Sequence, residues 1–587
     1  MMNFEQLANE LFLDLFEYLT SAHLLHAFSD LNYRFNTLLI IHFRSHGLDF
    51  RSVSKFHFDG ICRKHLPSMI DRIIALRLSD DHDTPDQIDL FFSYGFTLHQ
   101  FVHLQSLTLY HLQSNQTIRR IVVQCRRLPH LTRLCLIKCS SKVQERIVSN
   151  IVNTIWRLSQ LKYCHLDWTL IPIAYFPVPN IRSKSIEYLS IEILPVDFIE
   201  IVRLFRCTPN LRYLHFRIAH PSDENIFQSM NSSISSLNLR INHHSSNQLF
   251  NLLQKMSHLI KLTLLTESMI IDGHQFEELI VNYLPNLKVF RFVMYRDVDA
   301  YHNYERQIDQ ILHSFRSSFW LIDRRWFVRC QLEILCSHPL IVLYSLPFAS
   351  DTFALHFGPP ENCIKATCPS EDDYWSFDRV TTLIYNSDIL NGMIRYPFRF
   401  SNIQHLDITF PMCDQFLLNI PRLDHLISLV ASNRDDTDSD NAFNQLQYLI
   451  DRAPHLYSLT IETWSSSIIQ EIPGKINSTS IRRLDLQSFY YPKCDRCFNT
   501  EQCLRFTRSP LAIQCEVLLI VIENRTVIHD LVHRMKNLRA LKVYCPRGRS
   551  NERSPTNLEI IQWTLYHYPC TFLEDVTRIE NKRVWIR

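Results

Sequence analysis

Apolar and polar positions alternate with the period of an α-helix along the first forty residues. Leucines recur at four-residue spacing with two phenylalanines beside them, at Leu7, Leu11, Leu15, Leu19, Phe12 and Phe16. This pattern predicts a helix over about residues 8–19 with a broad apolar face. Thr20 and Ser21 interrupt it and can cap a second helix. That short helix and a third are predicted by Leu24, Leu25, Phe28, Leu31, Phe35, Leu38 and Leu39.

Downstream, a unit of the form apolar-x-x-apolar-x-apolar returns about every 23 to 30 residues. Its first positions are Leu104, Leu131, Leu161, Ile186, Leu211, Ile234, Leu259 and Leu287. Apolar residues of helical period precede most of these units, and breakers such as Leu284-Pro285-Asn286 stand between helix and strand. The pattern therefore predicts one strand and one helix per repeat.

The same unit resumes in the second half of the chain. Its first positions there are Val380, Ile403, Leu426, Leu456, Ile481, Val517 and Leu538. The fit at Leu426 is poor, and the step from Ile481 to Val517 is long. This half is expected to form a less regular array, or a second one.

The segment between the two series has its own character. Alternating apolar and polar residues from Val328 to Ile334, followed by an apolar run after Pro339, predict a β-hairpin. Pro359-Pro360 and the acidic residues Glu371 to Asp373 predict an exposed loop. The segment is expected to cap the array, to act as a hinge or to bind a partner.

Two parts of the chain resemble known families. The stretch from Leu7 to Leu19, followed by Leu24, Leu25, Phe28, Leu31, Asn32 and Phe35, is similar to the F-box motif. It departs from that motif at Ala8, where the family usually has proline. The recurring unit and its period resemble leucine-rich repeats. One repeat resembles the cysteine-containing subtype often joined to F-boxes, through Cys125, Leu131, Leu134, Leu136 and Cys139.

These resemblances imply a fold and its divisions. The expected class is α/β, with an N-terminal three-helix F-box followed by an irregular leucine-rich-repeat solenoid, a curved parallel sheet with outer helices. The expected divisions are an F-box over 1–45, a first half of the solenoid over 65–293, an irregular insert with the hairpin over 294–379, and a second half over 380–587.

Composition narrows the range of partners. The 61 basic and 59 acidic side chains nearly cancel, and a formal charge of +2 gives no long-range field for a phosphate backbone or an anionic lipid surface. We therefore expect neither nucleic acid nor a membrane as partner. Only eight glycines occur, and they are too far apart to form a glycine-rich phosphate loop.

Cysteine usage and the first residues indicate the compartment. Seventeen cysteines are present, and the first twenty residues carry four acidic side chains instead of the basic start and apolar run of a secretory signal. No apolar stretch approaches the roughly 20 residues that a membrane-spanning helix needs. The chain is expected to be reduced and intracellular, in the cytoplasm or the nucleus.

Candidate chemistry is sparse. His529 and His533 stand one helical turn apart, but no third metal ligand is identifiable beside them. The zinc-like cysteines are Cys494, Cys497, Cys503 and Cys515, of which only the first two are close in sequence. No Gly-x-Ser-x-Gly elbow and no HExxH helix occurs. The sequence thus predicts no catalytic residue, no metal and no cofactor.

The residues between the apolar positions of each strand must face away from the core, toward the concave surface of a solenoid. One such column reads Thr108, Cys135, His165, Ser190, His215, Asn238, Thr263 and Arg291. The next reads Tyr110, Ile137, Asp167, Glu192, Arg217, Arg240, Leu265 and Val293. The residues expected to contact a protein substrate are His165, Asp167, Glu192, His215, Arg217, Arg240 and Arg291. An ordinary solvated sheet face is the alternative.

The F-box resemblance implies docking to the Skp-type adaptor of a cullin-RING ubiquitin ligase, while the repeats hold a protein substrate. The expected adaptor contacts are Leu7, Glu10, Leu11, Leu15, Leu19, Leu24, Leu25 and Phe28. The chain itself would then catalyse nothing, because the ligase acts by bringing a ubiquitin thioester close to the substrate. The alternative is a leucine-rich-repeat scaffold whose N-terminal helices only cap the array.

Overall fold

The structure is a computed structural model of the chain. It describes residues 4–142, 144–171, 173–219, 232–241, 246–298, 303–335, 338–355, 363–368, 377–386, 399–412, 416, 420, 422–433, 439–464, 466–487, 497–545 and 581–586. The chain forms two compact units, one of Met1–Leu262 with Val281–Val289 and one of Thr263–Ile280 with Phe290–Ile586. Each unit combines α-helices with mostly parallel strands, so the predicted mixed α/β class is confirmed.

Three helices open the first unit: α1 (Asn9–Glu17), α2 (Ser21–Phe28) and α3 (Tyr33–His46). The predicted cap of α2 is present, since the Thr20 side chain accepts a hydrogen bond from the backbone N–H of His23. Further α-helices of this unit span Lys55–Gly60, Leu66–Met69, Gln87–Ser93, Asn115–Cys125, Glu145–Trp156, Ile201–Cys207 and Ser246–Leu253. Helix Gly273–Tyr283 contributes residues to both units.

The first unit holds a sheet whose strands pair in chain order and run parallel. Its strands are β1 (Leu48–Asp49), β2 (Ala75–Ser79), β3 (Ser106–Tyr110), β4 (Arg133–Lys142), β5 (Tyr163–Ile171), β6 (Tyr188–Ile191), β7 (Tyr213–Ile218) and β8 (Ser236–Ile241). Strand β9 (Lys261–Thr266) begins in this unit. From β3 onward, each strand begins two residues after the predicted first apolar position, whereas β1 and β2 lie before the predicted series.

Strand alternation separates the core from the opposite face. Along β5, Cys164, Leu166 and Trp168 are buried, while His165 and Asp167 between them are half-buried. The same alternation recurs along β7 and β8. Each strand thus buries one apolar face and leaves the other to polar and aromatic side chains.

An asparagine side chain forms a hydrogen bond between neighbouring repeats, at the turn between a helix and the following strand. In the first unit, the Asn210 Nδ2 donates to the carbonyl of Lys184 at 2.7 Å, and the Asn286 Nδ2 donates to the carbonyl of Ser257 at 3.1 Å. Each asparagine stands directly before the first apolar position of its repeat, and its acceptor lies one repeat earlier. The turns therefore stack with the same spacing as the strands.

The second unit contains the predicted segment between the two series. Its strands are β10 (Val289–Asp297), β11 (Val328–Leu335), β12 (His338–Ser345) and β14 (Ile364–Ala366), and helix Tyr304–His313 lies among them in sequence. Strands β11 and β12 form an antiparallel hairpin where the sequence predicts one, and β12 also pairs with β10. The predicted exposed loop, with Pro359-Pro360 and Glu371 to Asp373, lies outside the described residues.

A second sheet of this unit is parallel except for its last pair of strands, which is antiparallel. Its strands are β13 (Thr352–Leu355), β15 (Thr382–Tyr385), β16 (His405–Phe410), β17 (Ser428–Asn433), β18 (Ser458–Glu462), β19 (Arg483–Asp485), β20 (Val517–Val521), β21 (Ala540–Tyr544) and β22 (Asn581–Trp585). Its α-helices span Ser439–Asp451, Ser466–Lys475, Thr500–Phe506, Pro510–Gln514 and Val527–Arg534.

The pairing of β19 with β20 corrects the predicted start of one repeat. Arg483 pairs with Val517, so Cys515 takes the position that Ile481 holds one strand earlier. The predicted start at Val517 is therefore wrong by two residues, because the apolar run continues through the strand and fits the unit in two frames. Leu426, where the fit is poor, precedes a regular parallel strand, β17.

Candidate protein-binding surfaces

Phenylalanine side chains hold α1, α2 and α3 together. Phe12 and Phe16 of α1 are fully buried, and their rings contact Phe35 at 5.0 Å and Phe28 at 4.9 Å between centroids. Arg34 of α3 donates to Asn9 Oδ1 at 2.8 Å and to the backbone carbonyl of Leu7. This anchors the start of α1, where Ala8 offers no side-chain cap. The inward face of α1 is therefore the aromatic one.

The leucine face of α1 points outward. Leu11 is 54% exposed and Leu15 is 38% exposed, while Leu7 and Leu19 are half-buried. Glu10 is exposed beside them. Exposed leucines repeated along one helix face form an apolar surface of the kind that marks a protein contact. We call Leu11 and Leu15 of α1, together with Leu7 and Leu19 that flank this helix, the α1 leucine surface.

The other predicted adaptor contacts lie elsewhere. Leu24, Leu25 and Phe28 of α2 are buried, at 0%, 4% and 7% exposure, within the described part of the chain. They support the helices from inside, so the predicted set divides into an outer group on α1 and an inner group on α2. Sequence reasoning left out two exposed apolar neighbours, Tyr18 at 87% and Leu31 at 58%. Both lie in the stretch whose sequence resembles the F-box motif, and that resemblance was the signal for them.

The first predicted column on the sheet is in register across six strands. Successive strand pairs align Thr108, Cys135, His165, Ser190, His215 and Asn238. Thr108 and Cys135 are buried, whereas His165 and His215 keep part of their side chains accessible. The accessible part of this column therefore begins at His165.

The carboxylate of Glu192 lies near both histidines of this column. The Glu192 Oε1 lies 2.8 Å from His215 Nδ1 and 3.9 Å from His165 Nδ1, and the Ser190 hydroxyl donates to it at 2.6 Å. Burial raises the pKa of Glu192, but the hydrogen bonds from His215 and Ser190 outweigh burial and bring the pKa below its usual value of 4.5. Glu192 is therefore a carboxylate at neutral pH, and its charge is engaged within the sheet.

The cluster lacks the geometry of an activated serine. The one hydroxyl proton of Ser190 goes to Glu192, and the Ser190 hydroxyl and the Glu192 carboxylate both contact the same nitrogen of His215. In a serine-nucleophile triad the two lie on opposite nitrogens of the imidazole. The arrangement orders side chains on the sheet and gives no nucleophile.

The second predicted column is interrupted. A register shift in β4 between Leu136 and Cys139 places Lys138 in a left-handed conformation, with φ 50°. Asp167 accepts a hydrogen bond from the Lys138 backbone N–H at 2.9 Å, so it stabilises the bulge instead of lying beside Ile137. The sequence pattern cannot reveal such a bulge, because the apolar spacing on either side stays intact.

Further along, the two arginines are neighbours as predicted. Arg217 pairs with Arg240 across β7 and β8; Arg217 is half-buried and Arg240 is exposed. Arg291 lies in β10, within the second unit, and is half-buried. Glu192 follows the last residue of β6.

A third column on the same face was missed by sequence reasoning. Tyr163, Tyr188 and Tyr213 stack face to face at 3.9 and 4.0 Å, and the Arg133 guanidinium lies 4.0 Å from the Tyr163 ring centroid. The signal was present, since each tyrosine stands two residues after the first apolar position of its repeat. We call Arg133, Tyr163, Tyr188 and Tyr213 the tyrosine ladder.

The candidate metal ligands do not converge in the described part of the chain. His529 and His533 stack on one helix with their rings 5.8 Å apart, and no group of three or more histidine, cysteine or acidic side chains is placed to hold a metal there. Cys503 and Cys515 are buried, and Cys494 lies outside the described residues.

Neither a protein-family model nor a curated protein matches this chain. No helix among the described residues combines the length and apolar character needed to cross a bilayer.

Proposed function

We propose that this chain is the substrate-recognition subunit of an SCF-type E3 ubiquitin ligase. In this proposal α1 to α3 form an F-box that binds the Skp-type adaptor, and through it the cullin scaffold. The strands and helices that follow form a leucine-rich-repeat solenoid that holds a protein substrate. The complex works in the cytoplasm or the nucleus.

The α1 leucine surface carries this proposal. Leu11 and Leu15 are exposed, whereas Phe12 and Phe16 of the same helix are buried and pack against the other two helices. The phenylalanines hold α1 in place, so its exposed leucines are available to pack against another protein. The chain then needs no nucleophile or base, since the ligase gains its rate from proximity.

Copurification with the adaptor tests the proposal. The variant Leu11→Asp places a charge in the centre of the surface, as does Leu15→Asp, and both are expected to abolish binding because a buried unpaired charge is costly. Val123→Asp is the matched control, since Val123 is 51% exposed on another helix, Asn115–Cys125. Near-equal melting temperatures for the three variants would show that folding is retained. Undiminished adaptor binding by both leucine variants would refute the proposal and favour a non-catalytic repeat scaffold.

A further inference from the structure

The tyrosine ladder has two different ends. At one end the Arg133 guanidinium covers the outer face of Tyr163 at 4.0 Å from the ring centroid. At the other end Tyr213 stacks on Tyr188 with one face, and its in-register neighbour on the next strand is Ser236. A serine side chain is too small to cover an aromatic ring. Among the described residues, no ring or cation stacks on this second face of Tyr213.

Among the described residues, the position beside Tyr213 is a gap at the end of the stack of Arg133 and the three tyrosines. Neighbouring strands lie about 4.8 Å apart, so each rung of the sheet can hold one flat group in line with the others. The rungs of Arg133, Tyr163, Tyr188 and Tyr213 are filled with flat groups, and the rung of Ser236 is the first that is not. A planar side chain from a partner would extend the stack by one rung above Ser236.

The charge near this gap indicates which planar side chain of a partner would fit it. Exposed Lys261 begins the next strand, where the amides of Ile260 and Lys261 both donate to the carbonyl of Ser235. The strand position beyond Ser236 therefore carries the cation of Lys261, which disfavours an incoming arginine and favours an aromatic ring with acidic neighbours.

We infer that the face of Tyr213 above Ser236 binds an aromatic side chain of an acidic peptide segment. This inference deepens the proposed function, because it names the class of substrate that the receptor would hold. It rests on the proposed function in one respect, namely that this face of the sheet binds a protein.

The test uses the full chain and a short fluorescein-labelled peptide in which one tryptophan has glutamates on both sides. Fluorescence anisotropy compares it with a peptide that has alanine for tryptophan and with one that has lysines for the glutamates. Both changes are expected to weaken binding about tenfold, since a ring stack and a charge match are each worth about that factor. Equal binding of all three peptides, or absence of binding, would overturn the inference.

A matched pair of variants locates the contact. Ser236→Arg places a guanidinium over Tyr213, as Arg133 does over Tyr163, and is expected to weaken the tryptophan peptide about tenfold by filling the gap. Ser106→Arg adds the same side chain at the rung beyond Arg133 and should leave binding unchanged. Equal effects of the two variants would contradict the inference. Adaptor copurification by the unaltered chain and by both variants is measured in parallel. Failure of the unaltered chain to bind the adaptor would count against the proposed function, whereas failure of peptide binding alone would count only against this inference.

Discussion

At the scale of single residues, an apolar pattern marks which side chains avoid water but not which of them meet one another. Both the leucines and the phenylalanines of α1 satisfy the helical period, yet Phe12 and Phe16 are buried and Leu11 and Leu15 are exposed. A phenylalanine buries more apolar area than a leucine, so the aromatic face wins the interior when the two faces compete. For this reason the apolar residues of this region could be predicted, but the exposed leucines of α1 and the buried residues of α2 were assigned together to one adaptor-binding surface.

A buried acid in the hairpin gives a prediction at the same scale. Glu333 of β11 accepts a hydrogen bond from Gln331 Nε2 at 2.7 Å, and burial raises its pKa to about 7. The folded pKa lies above the ordinary 4.5, so ionisation favours the unfolded chain, and stability is lost as the pH rises from about 4.5 through about 7. Glu333→Gln keeps an uncharged partner for Gln331 and should remove this loss.

Thermal unfolding at two pH values measures the effect. We expect Glu333→Gln to raise the unfolding free energy by on the order of 2 kcal/mol at pH ~8, and to change it little at pH ~4. The control is Glu278→Gln, because Glu278 is exposed on helix Gly273–Tyr283. A shift of the same size at both pH values would contradict the assignment of this loss to Glu333.

At the scale of elements, strand starts were predicted well because each repeat buries the same three apolar positions. The strands that were missed, β1, β2, β13, β14 and β22, are short or lie outside the regular series, so periodicity offered few repeats to compare. The tyrosine ladder was missed for another reason. It is visible only after three repeats are aligned at a position that faces away from the core, where apolar periodicity gives no information.

The junction between α3 and β1 gives a prediction for an element boundary. Gly47 ends α3 with φ 77°, and a Cβ built on it would lie 2.4 Å from the Ala75 Cβ and 2.5 Å from the Ala75 carbonyl oxygen. Both the left-handed backbone and the close approach of β2 require glycine here. Gly47→Ala is therefore expected to lower the unfolding free energy by about 2–4 kcal/mol.

Gly60 is the matched control for this substitution. It lies in helix Lys55–Gly60 with helical backbone, and nothing lies within 4 Å of a Cβ built on it. Gly60→Ala should raise the unfolding free energy by about 0.5–1 kcal/mol, because alanine loses less backbone entropy in a helix. Denaturant unfolding of both variants gives the two values. Equal and small changes would show that the α3 to β1 junction tolerates a side chain.

At the scale of the whole molecule, the proposed receptor needs two independent binding surfaces on one chain. The resemblances that predicted both surfaces came mainly from apolar spacing, so they located the helices and strands but not the exposed side chains, which follow from the strand register. The segment over 294–379, which was also predicted to cap, to act as a hinge or to bind a partner, is the rival receptor. Deleting that segment would remove β11 and β12, whose Val328, Cys330 and Leu343 are fully buried, so a deletion would test folding instead of binding.

Charge reversal on the strand face is the cleaner whole-molecule test. The double variant Arg217→Glu with Arg240→Glu inverts two neighbouring charges of the face that holds the tyrosine ladder. It is expected to weaken substrate capture several-fold, mainly by slowing association, while adaptor binding stays intact. The matched control is Arg119→Glu with Arg126→Glu, an equal change of charge at exposed positions on and next to helix Asn115–Cys125. Affinity purification with quantitative mass spectrometry reports adaptor and substrates together. If the strand-face variant and its control retain the same captured proteins, this face does not bind the substrate.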